Sequence, residues 1–214
     1  MIDGITQEAE LVATQEEKDF IWGLGGGYPF FVQMAGHYLI EGKEQGLTDK
    51  ALIDFAVSNF NEQADAHYTY LWSHCSENEK ITLLVILTLT LQKQTKKTIP
   101  NAENLSNLRA RATQDLVALS KRGLVDERDG VYHIFSSSLE SWIRHEILAA
   151  PGEQESQQSA EEWLGAGGQR EVKEARSVFP HFKKKYWPLM GAFLKELTIK
   201  TAATVTIEFM KTIW

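Results

Sequence analysis

Residues 124–135, LVDERDGVYHIF, limit the fold more than any other stretch of this chain. Leu124-Val125 and Val131–Phe135 flank Asp129-Gly130, a dipeptide that favours a tight turn, and apolar and polar side chains alternate in the second flank. The segments on either side are patterned as helices. The sequence therefore predicts a mainly α protein with one small β-hairpin.

Helix starts are marked by matches to the capping-box pattern, in which a Ser or Thr and a Glu three residues later satisfy free backbone N–H groups. The four matches are Thr14-x-x-Glu17, Ser76-x-x-Glu79, Ser137-x-x-Glu140 and Ser159-x-x-Glu162. Gly25-Gly26-Gly27 is expected to end the helix predicted from about Glu16 to Leu24, and Pro29 suits the first turn of the next helix. Further helices are predicted after Thr48 (49–60, continuing over 67–72) and from Pro188 to Trp214.

The helices around the hairpin are defined by their apolar spacing. A core helix is predicted over Glu79–Gln92, and a helical region runs from Leu105 to about Arg122 with its leucines and Ala112 on one face. Gly123 is expected to end that region, because glycine tolerates the left-handed conformation of a helix C-terminus. Ser137 is predicted to cap the helix that follows the hairpin.

The polar stretch Pro151–Ser159 is predicted to be a linker. The net charge of the chain differs on the two sides of residue 151. Thirteen basic and 21 acidic residues lie before it, a net −8, whereas residues 151–214 carry nine basic and eight acidic residues. Four segments are expected: a helical bundle (1–75), a domain containing the hairpin (76–150), a polar and Gly-rich linker with a short helix (151–168), and a C-terminal amphipathic helical tail (169–214).

Composition argues against several classes of protein. A net charge of −7 argues against a dedicated nucleic-acid binder. The single cysteine rules out an internal disulfide framework and fits a reducing compartment. The longest apolar run, Ile81–Leu91, is shorter than the ~20 residues of a membrane-spanning helix. Residues 1–10 have no secretory-signal pattern, so a cytoplasmic location is expected.

Two motifs resemble a known family. Leu116–Val125 has the phrase L-x-x-L-x-x-R-G-L-V, the usual passage from the third helix of a winged helix-turn-helix into its wing. Gly27, Tyr28 and Pro29 match the sensor-2-like G-x-P motif. In this order they resemble the C-terminal half of a STAND-type signal-transduction ATPase of the AAA+ group, where a helical lid with G-x-P precedes a winged helix. IFSSSLESWIRHEI (134–147) is similar to the helix that closes such a domain, so the resemblance covers about residues 5–150.

The resemblance implies a non-catalytic regulatory module that couples nucleotide state to partner binding or oligomerisation. No G-x-x-x-x-G-K-[ST] and no Walker-B strand occur in this sequence, so the chain is not expected to be an enzyme. ATP or ADP is implied only where an upstream ATPase core exists, and the chain alone is expected to hold no cofactor. A fragment cut before the lid and a natural stand-alone remnant are both left open.

The resemblance assigns a nucleotide contact to Gly27, Tyr28 and Pro29. Glycine allows close backbone approach to a ligand, and the start of the following helix presents free N–H groups. The alternative is that the glycines end one helix and Pro29 begins the next.

The winged helix also suggests a different function, a stand-alone DNA-binding transcriptional regulator. Its candidate nucleic-acid contacts are Arg109, Arg111, Lys121 and Arg122. Against it stands the wing, Asp126–Asp129, whose net charge of −2 would repel phosphate. Partners are therefore expected to be proteins, either the ATPase core or copies in an oligomer, rather than DNA.

Three groups of residues remain. His67, His74 and Cys75 match no zinc spacing, and Ser136–Ser138 lack a nucleophile-elbow motif, so neither predicts a metal centre or a hydrolase. The tail interleaves basic and aromatic residues over 179–187. Three interpretations stay open for it: binding to anionic lipid or nucleic acid, a partner or self-association face, and packing back onto the winged helix.

Overall fold

The computed structural model describes residues 13–96, 99–108, 111–148 and 183–196. This part of the chain is mainly helical with one two-stranded antiparallel sheet, as the sequence predicts. The elements are, in order, α1 (Gln15–Gly25), α2 (Pro29–Glu44), α3 (Asp49–Ser73), α4 (Glu77–Lys96), α5 (Ala102–Leu108), α6 (Ala112–Lys121), β1 (Val125–Arg128), β2 (Val131–Ile134), α7 (Ser137–Ile147), a 3₁₀ turn (Lys184–Tyr186) and α8 (Trp187–Glu196). None of the helices described has the length and apolarity that a bilayer crossing requires.

The described residues form two compact units. The first comprises the residues up to His74 together with Phe135–Trp142, and the second comprises Cys75–Ile134 and the residues from Ile143 onward. Helix α7 therefore contributes its first residues to one unit and its last to the other. The sequence pattern groups residues 76–150 instead, because periodicity identifies the apolar face of a helix but not the surface on which that face packs.

The first unit is a bundle in which α2 packs against both α1 and α3. Its core is formed by apolar side chains from all three helices, among them Ile21, Phe31, Ala35, Leu39, Ala56, Phe60 and Tyr68. Helix α3 is one helix of 25 residues, which joins the predicted helix over 49–60 to its predicted continuation over 67–72. Thr48 occupies its N-cap position without a side-chain capping bond.

The capping boxes at Thr14 and Ser76 are confirmed, since the Ser or Thr hydroxyl and the Glu carboxylate exchange backbone hydrogen bonds at both sites. The predicted cap at Ser137 is wrong. The hydroxyl of the preceding residue, Ser136, accepts from the Leu139 amide at 3.0 Å. Ser159 lies outside the described residues.

The second unit is built on α4, which packs against α6, β2 and α8. Helices α5 and α6 are separate, so the prediction of one helical region over 105–122 is wrong. Arg111 is the N-cap of α6. Leu105, Ala112, Leu116 and Leu119 are nevertheless all buried. Because the spacing of apolar residues continues across the break between α5 and α6, the sequence pattern does not reveal the break.

The hairpin is confirmed. β1 and β2 pair antiparallel with Val125 opposite Ile134 and Arg128 opposite Val131. Asp129 and Gly130 both have positive φ, 53° and 73°, as a two-residue type I′ turn requires.

Helix α6 ends as the glycine at 123 predicts. Gly123 has φ 68°. The Gly123 amide donates to the Ser120 carbonyl at 2.9 Å, and the Leu124 amide donates to the Leu119 carbonyl at 2.9 Å. This is a Schellman motif. It leads α6 directly into β1.

The segment Lys183–Glu196 packs within the second unit. Its helix α8 begins at Trp187, one residue before the predicted start, and lies against α4. Trp187 and Leu189 are buried. Of the three interpretations of the tail, these residues agree with the one in which it packs back onto the preceding domain. The rest of the predicted helix, to Trp214, lies outside the described residues.

Candidate functional site

The turn that contains the predicted nucleotide contact joins α1 to α2. Gly26 has φ 60° and donates its amide to the Trp22 carbonyl at 2.7 Å, which ends α1. Gly27 follows with φ 75°. The amide of Tyr28 donates to Gly25 at 3.1 Å, and Pro29 is the first residue of α2.

The glycines of this turn also allow close packing inside the unit. A β-carbon on Gly26 would lie 2.1 Å from the Phe135 carbonyl oxygen, and one on Gly25 would lie 2.7 Å from the Val32 nitrogen. At Gly27 the nearest atom would be a ring carbon of Trp22, at 3.0 Å. The backbone that these glycines approach closely is therefore the chain's own, which accounts for residues 25 and 26 without a ligand.

Gly27, Tyr28 and Pro29 still lie at the surface. Gly27 and Tyr28 are half-buried, and Pro29 is exposed. No side chain caps α2, and within the part of the chain that the structure describes, the amides of Phe30 and Phe31 have no hydrogen-bond acceptor. The turn thus presents the N–H groups that favour an anion at a helix start.

An aromatic cluster that sequence analysis did not identify lies beneath the turn. Phe31, 3% exposed, is its centre. The ring centroids of Tyr68 and Phe135 lie 5.0 and 5.8 Å from that of Phe31. Tyr28 lies 5.1 Å from Phe135. The turn is therefore fixed to the residue that follows β2, a contact that sequence spacing cannot show.

Polar contacts attach the start of α7 to the same bundle. The Ser137 hydroxyl donates to the Gly23 carbonyl at 3.2 Å. Ser138 donates to the side-chain oxygen of Asn61 at 2.7 Å, and the Trp142 indole donates to Asp65 at 2.8 Å. Nearby, burial raises the pKa of the Tyr68 hydroxyl, although the hydroxyls of Ser138 and Ser136 oppose the shift.

The aromatic rim of the turn is exposed. Trp22 and Phe30 are 55% and 46% exposed. The ring centroid of Phe30 lies 4.6 Å from that of His67. The turn therefore combines free backbone donors with exposed rings, a surface suited to contact with another molecule.

The predicted nucleic-acid contacts are not equivalent in the structure. Arg111 and Lys121 are exposed at the two ends of α6, and Arg109 lies outside the described residues. Arg122 is half-buried, and its guanidinium lies 3.3 Å from a Glu79 carboxylate oxygen and 3.6 Å from the Cys75 sulfur.

The Glu79–Arg122 ion pair joins the start of α4 to the end of α6. Burial opposes ionisation of Glu79. Hydrogen bonds from Ser76 and the charge of Arg122 outweigh that effect, and the pKa of Glu79 is lowered. Arg122 is therefore already engaged inside the unit, which leaves less of its charge for an external phosphate.

The hairpin turn presents acidic side chains. Arg128, its only basic residue, pairs with Asp126 at 2.6 Å. Glu127 and Asp129 are exposed. Burial raises the pKa of Tyr132, and the neighbouring Glu127 carboxylate adds to that shift. The outward charge of the hairpin turn is negative.

Asp115, the one acidic residue of α6, is turned inward. It is buried and accepts a hydrogen bond from the Thr82 hydroxyl at 3.0 Å. The exposed face of α6 carries only neutral and basic side chains: Thr113, Gln114, Val117, Ser120 and Lys121.

Two of the residues considered as metal ligands, His74 and Cys75, make contacts within the protein. His74 makes a contact of 2.8 Å from its Nδ1 to the Tyr70 carbonyl. Cys75 is buried, and burial raises the pKa of its thiol. In the described ranges, no three His, Cys, Asp or Glu side chains are grouped as metal ligands would be.

No protein-family model, no curated protein and no solved structure matches this chain.

Proposed function

We propose that this chain is a non-catalytic regulatory module of a STAND- or AAA+-like ATPase, which couples nucleotide state to partner binding or oligomerisation. The order of elements in the second unit supports the proposal. Helices α4, α5 and α6 are followed by β1 and β2, which is the order of elements expected of a winged helix-turn-helix. In the first unit, a helical bundle carries the G-x-P turn at the start of α2, as a lid would.

In this proposal Gly27, Tyr28 and Pro29 face the nucleotide held by an ATPase core. The core supplies the phosphate-binding loop and the metal ligands, which this sequence lacks. The free amides of Phe30 and Phe31 favour negative charge at the start of α2. ATP and ADP differ in negative charge, so the turn would favour one nucleotide state over the other.

Helix α7 provides the connection for coupling. Ser137, Ser138 and Trp142 hydrogen-bond to the first unit, and Ile143 and Ile147 are buried residues of the second. In this proposal α7, which contributes residues to both units, is the element through which a change in one unit biases the other.

The charge distribution of the second unit favours a protein partner over DNA. Arg122 is engaged by Glu79, and the wing is acidic. Proteins that bind DNA use basic side chains to neutralise its phosphates. A surface of this charge is better suited to a protein.

A second function has one observation in its favour. Because Asp115 is turned inward, the exposed face of α6 has no acidic side chain and carries Arg111 and Lys121 at its ends. That face would suit a recognition helix in a stand-alone DNA-binding regulator.

A titration with duplex DNA at low and moderate salt distinguishes the two functions. The proposal predicts weak binding that K121E weakens no more than K50E, a control change at an exposed lysine of α3. Tight binding that falls steeply with salt and is lost in K121E but not K50E would establish the DNA-binding alternative.

A further inference from the structure

The two compact units carry net charges of opposite sign. Over its sequence ranges the first unit has 13 acidic and three basic residues, a net −10, and the second has 16 acidic and 19 basic, a net +3. Among the described residues alone, the counts are ten and three in the first unit and nine and 12 in the second, a net −7 and +3. The chain therefore joins a strongly acidic unit to a basic one.

In the second unit, the exposed face of α6 is basic and has an apolar centre. Four exposed residues lie along one side of this helix, at spacings of three, three and four: Arg111, Gln114, Val117 and Lys121. Val117 is 52% exposed, whereas Asp115, the only acid of the helix, is buried. The face thus presents two cations about 15 Å apart, from the rise of a helix, with an apolar side chain between them.

In the first unit, α3 has an acidic face of similar length. Asp54 and Asp65 are exposed and lie three helical turns apart, so they share one side of the helix at a separation of about 16 Å. Glu62, also exposed, is the neighbour of Asp65 at a spacing of three residues. Lys50 pairs with Asp54, but no ion pair of the described structure involves Glu62 or Asp65. The sequence has no lysine or arginine between Lys50 and Lys80, so this face stays negative.

The surroundings of α6 favour this acidic face over DNA as its partner. Helix α6 leads directly into the hairpin, where Glu127 and Asp129 are exposed. A DNA duplex carries phosphates along its whole length, so it would bring negative charge to these acids as well. The acidic face of α3 is limited to about three turns of one helix, a length comparable with the basic face of α6. The chain itself therefore contains a surface complementary to α6.

We propose that copies of this chain associate through unlike faces, with α6 of one copy against the acidic face of α3 of another. The inference rests on the proposed function in one respect, since it names the partner that oligomerisation requires. Each pair leaves one α3 face and one α6 face free, so further copies can add. Repulsion between chains of net −7 is screened beyond about 8 Å at physiological salt, whereas the charges in contact attract within that distance.

Analytical ultracentrifugation of the full chain tests the association. We expect the mean mass to rise with protein concentration at low salt, about 50 mM, and to return toward that of the monomer at about 500 mM, because salt screens contacts between exposed charges. A chain that stays monomeric at low salt up to roughly 200 μM, a concentration at which even weak association is visible, would overturn the proposal.

Two variants test the faces separately. V117E with K121E alters α6, whereas D54N with E62Q and D65N neutralises the acidic face of α3. Each variant alone should weaken self-association at least about tenfold. Mixed in equal amounts, the two should form a one-to-one pair and nothing larger, because each keeps one intact face. Pairing also shows that both variants are folded. A mixture that does not pair, or self-association that neither variant changes, would contradict the assignment of the two faces.

Matched controls make the same kinds of change elsewhere. E16Q with D19N and E44Q removes three exposed acids from the first unit, and K184E reverses an exposed lysine of the second. Both controls should associate within about twofold of wild type. If they weaken association as much as the two face variants do, total charge rather than the two faces drives it, and the proposal is wrong.

Duplex DNA is the competing occupant of α6. A wild-type chain that stays monomeric and binds duplex DNA tightly, with that binding lost in the V117E and K121E chain, would assign the face to DNA and overturn self-association. The ultracentrifugation needs neither nucleotide nor an ATPase core. A negative result there would leave the role proposed for the G-x-P turn intact, and loss of that role would leave self-association intact.

Discussion

Gly26 is where a single β-carbon would disturb the first unit most. Its φ of 60° disfavours other residues, and the atom added by Gly26→Ala would lie 2.1 Å from the Phe135 carbonyl oxygen. We expect a loss of roughly 3 kcal/mol in the free energy of unfolding, since backbone must move. Gly46→Ala is the control, because φ is 76° there and the space is open. It should cost about 1 kcal/mol. Equal losses in urea unfolding would contradict the close approach.

Glu79 makes the stability of the second unit depend on pH. Its folded-state pKa is lowered, so the ionised carboxylate contributes stability above its unfolded pKa, about 4.3. That stability is lost as pH falls through the folded-state pKa. Glu79→Gln should cost roughly 1–2 kcal/mol at pH 7, measured by urea unfolding, and much less at pH 3.

Glu77→Gln is the matched control for Glu79. The Glu77 side chain is 64% exposed and pairs only with Lys80 in the described structure. The loss of unfolding free energy in Glu77→Gln should therefore be near zero at both pH values. A loss at Glu79 that stays constant between pH 7 and pH 3 would show that the residue acts through packing rather than charge.

For single residues, surface positions were easier to predict from the sequence than contacts. The motif match selected Gly27 and Pro29, and both lie at the surface. It also selected Arg122, whose guanidinium turns to Glu79. Sequence spacing gives the face of a helix on which a residue lies, but it cannot show that an acid 43 positions earlier in the chain lies beside it.

Among the elements, α7 offers a direct comparison of two adjacent serines. Ser136→Ala removes the hydroxyl that accepts from the Leu139 amide and should cost about 1 kcal/mol. Ser137→Ala removes a bond to the Gly23 carbonyl at an exposed position and should cost less, about 0.5 kcal/mol. Thermal unfolding of both variants shows which substitution costs more stability. A larger loss in Ser137→Ala than in Ser136→Ala would indicate that Ser137 is the cap.

Local signals predicted the elements whose causes are local. The hairpin follows from Asp129-Gly130, and the end of α6 follows from Gly123, because both need only a few neighbouring residues. The break between α5 and α6 was missed because Leu105 and Leu116 remain on one buried face across it. The contact between Phe135 and Phe31 was missed for a different reason. It is decided by tertiary packing, which the spacing of apolar residues in the sequence does not reveal.

In the molecule as a whole, two compact units share α7, and the second carries an acidic hairpin and an attached C-terminal segment. Mainly α architecture and one hairpin were predictable, since helical period and turn chemistry dominate the sequence. The membership of residues 135–142 in the first unit was not. It depends on Ser138 and Trp142 finding partners on α3, at positions that no motif marks.

Site-specific photo-crosslinking tests whether the G-x-P turn faces a nucleotide-binding core. A photoreactive phenylalanine analogue replaces Phe30, beside the G-x-P turn, in cells that express the chain at its natural level. The control replaces Tyr70, an exposed aromatic residue of α3. We predict that position 30, and not position 70, crosslinks to polypeptide carrying a G-x-x-x-x-G-K-[ST] motif, on the same chain or a separate one, with a yield that differs between ATP and ADP. Crosslinks from position 30 that contain no such motif, or a yield that nucleotide leaves unchanged, would contradict the account.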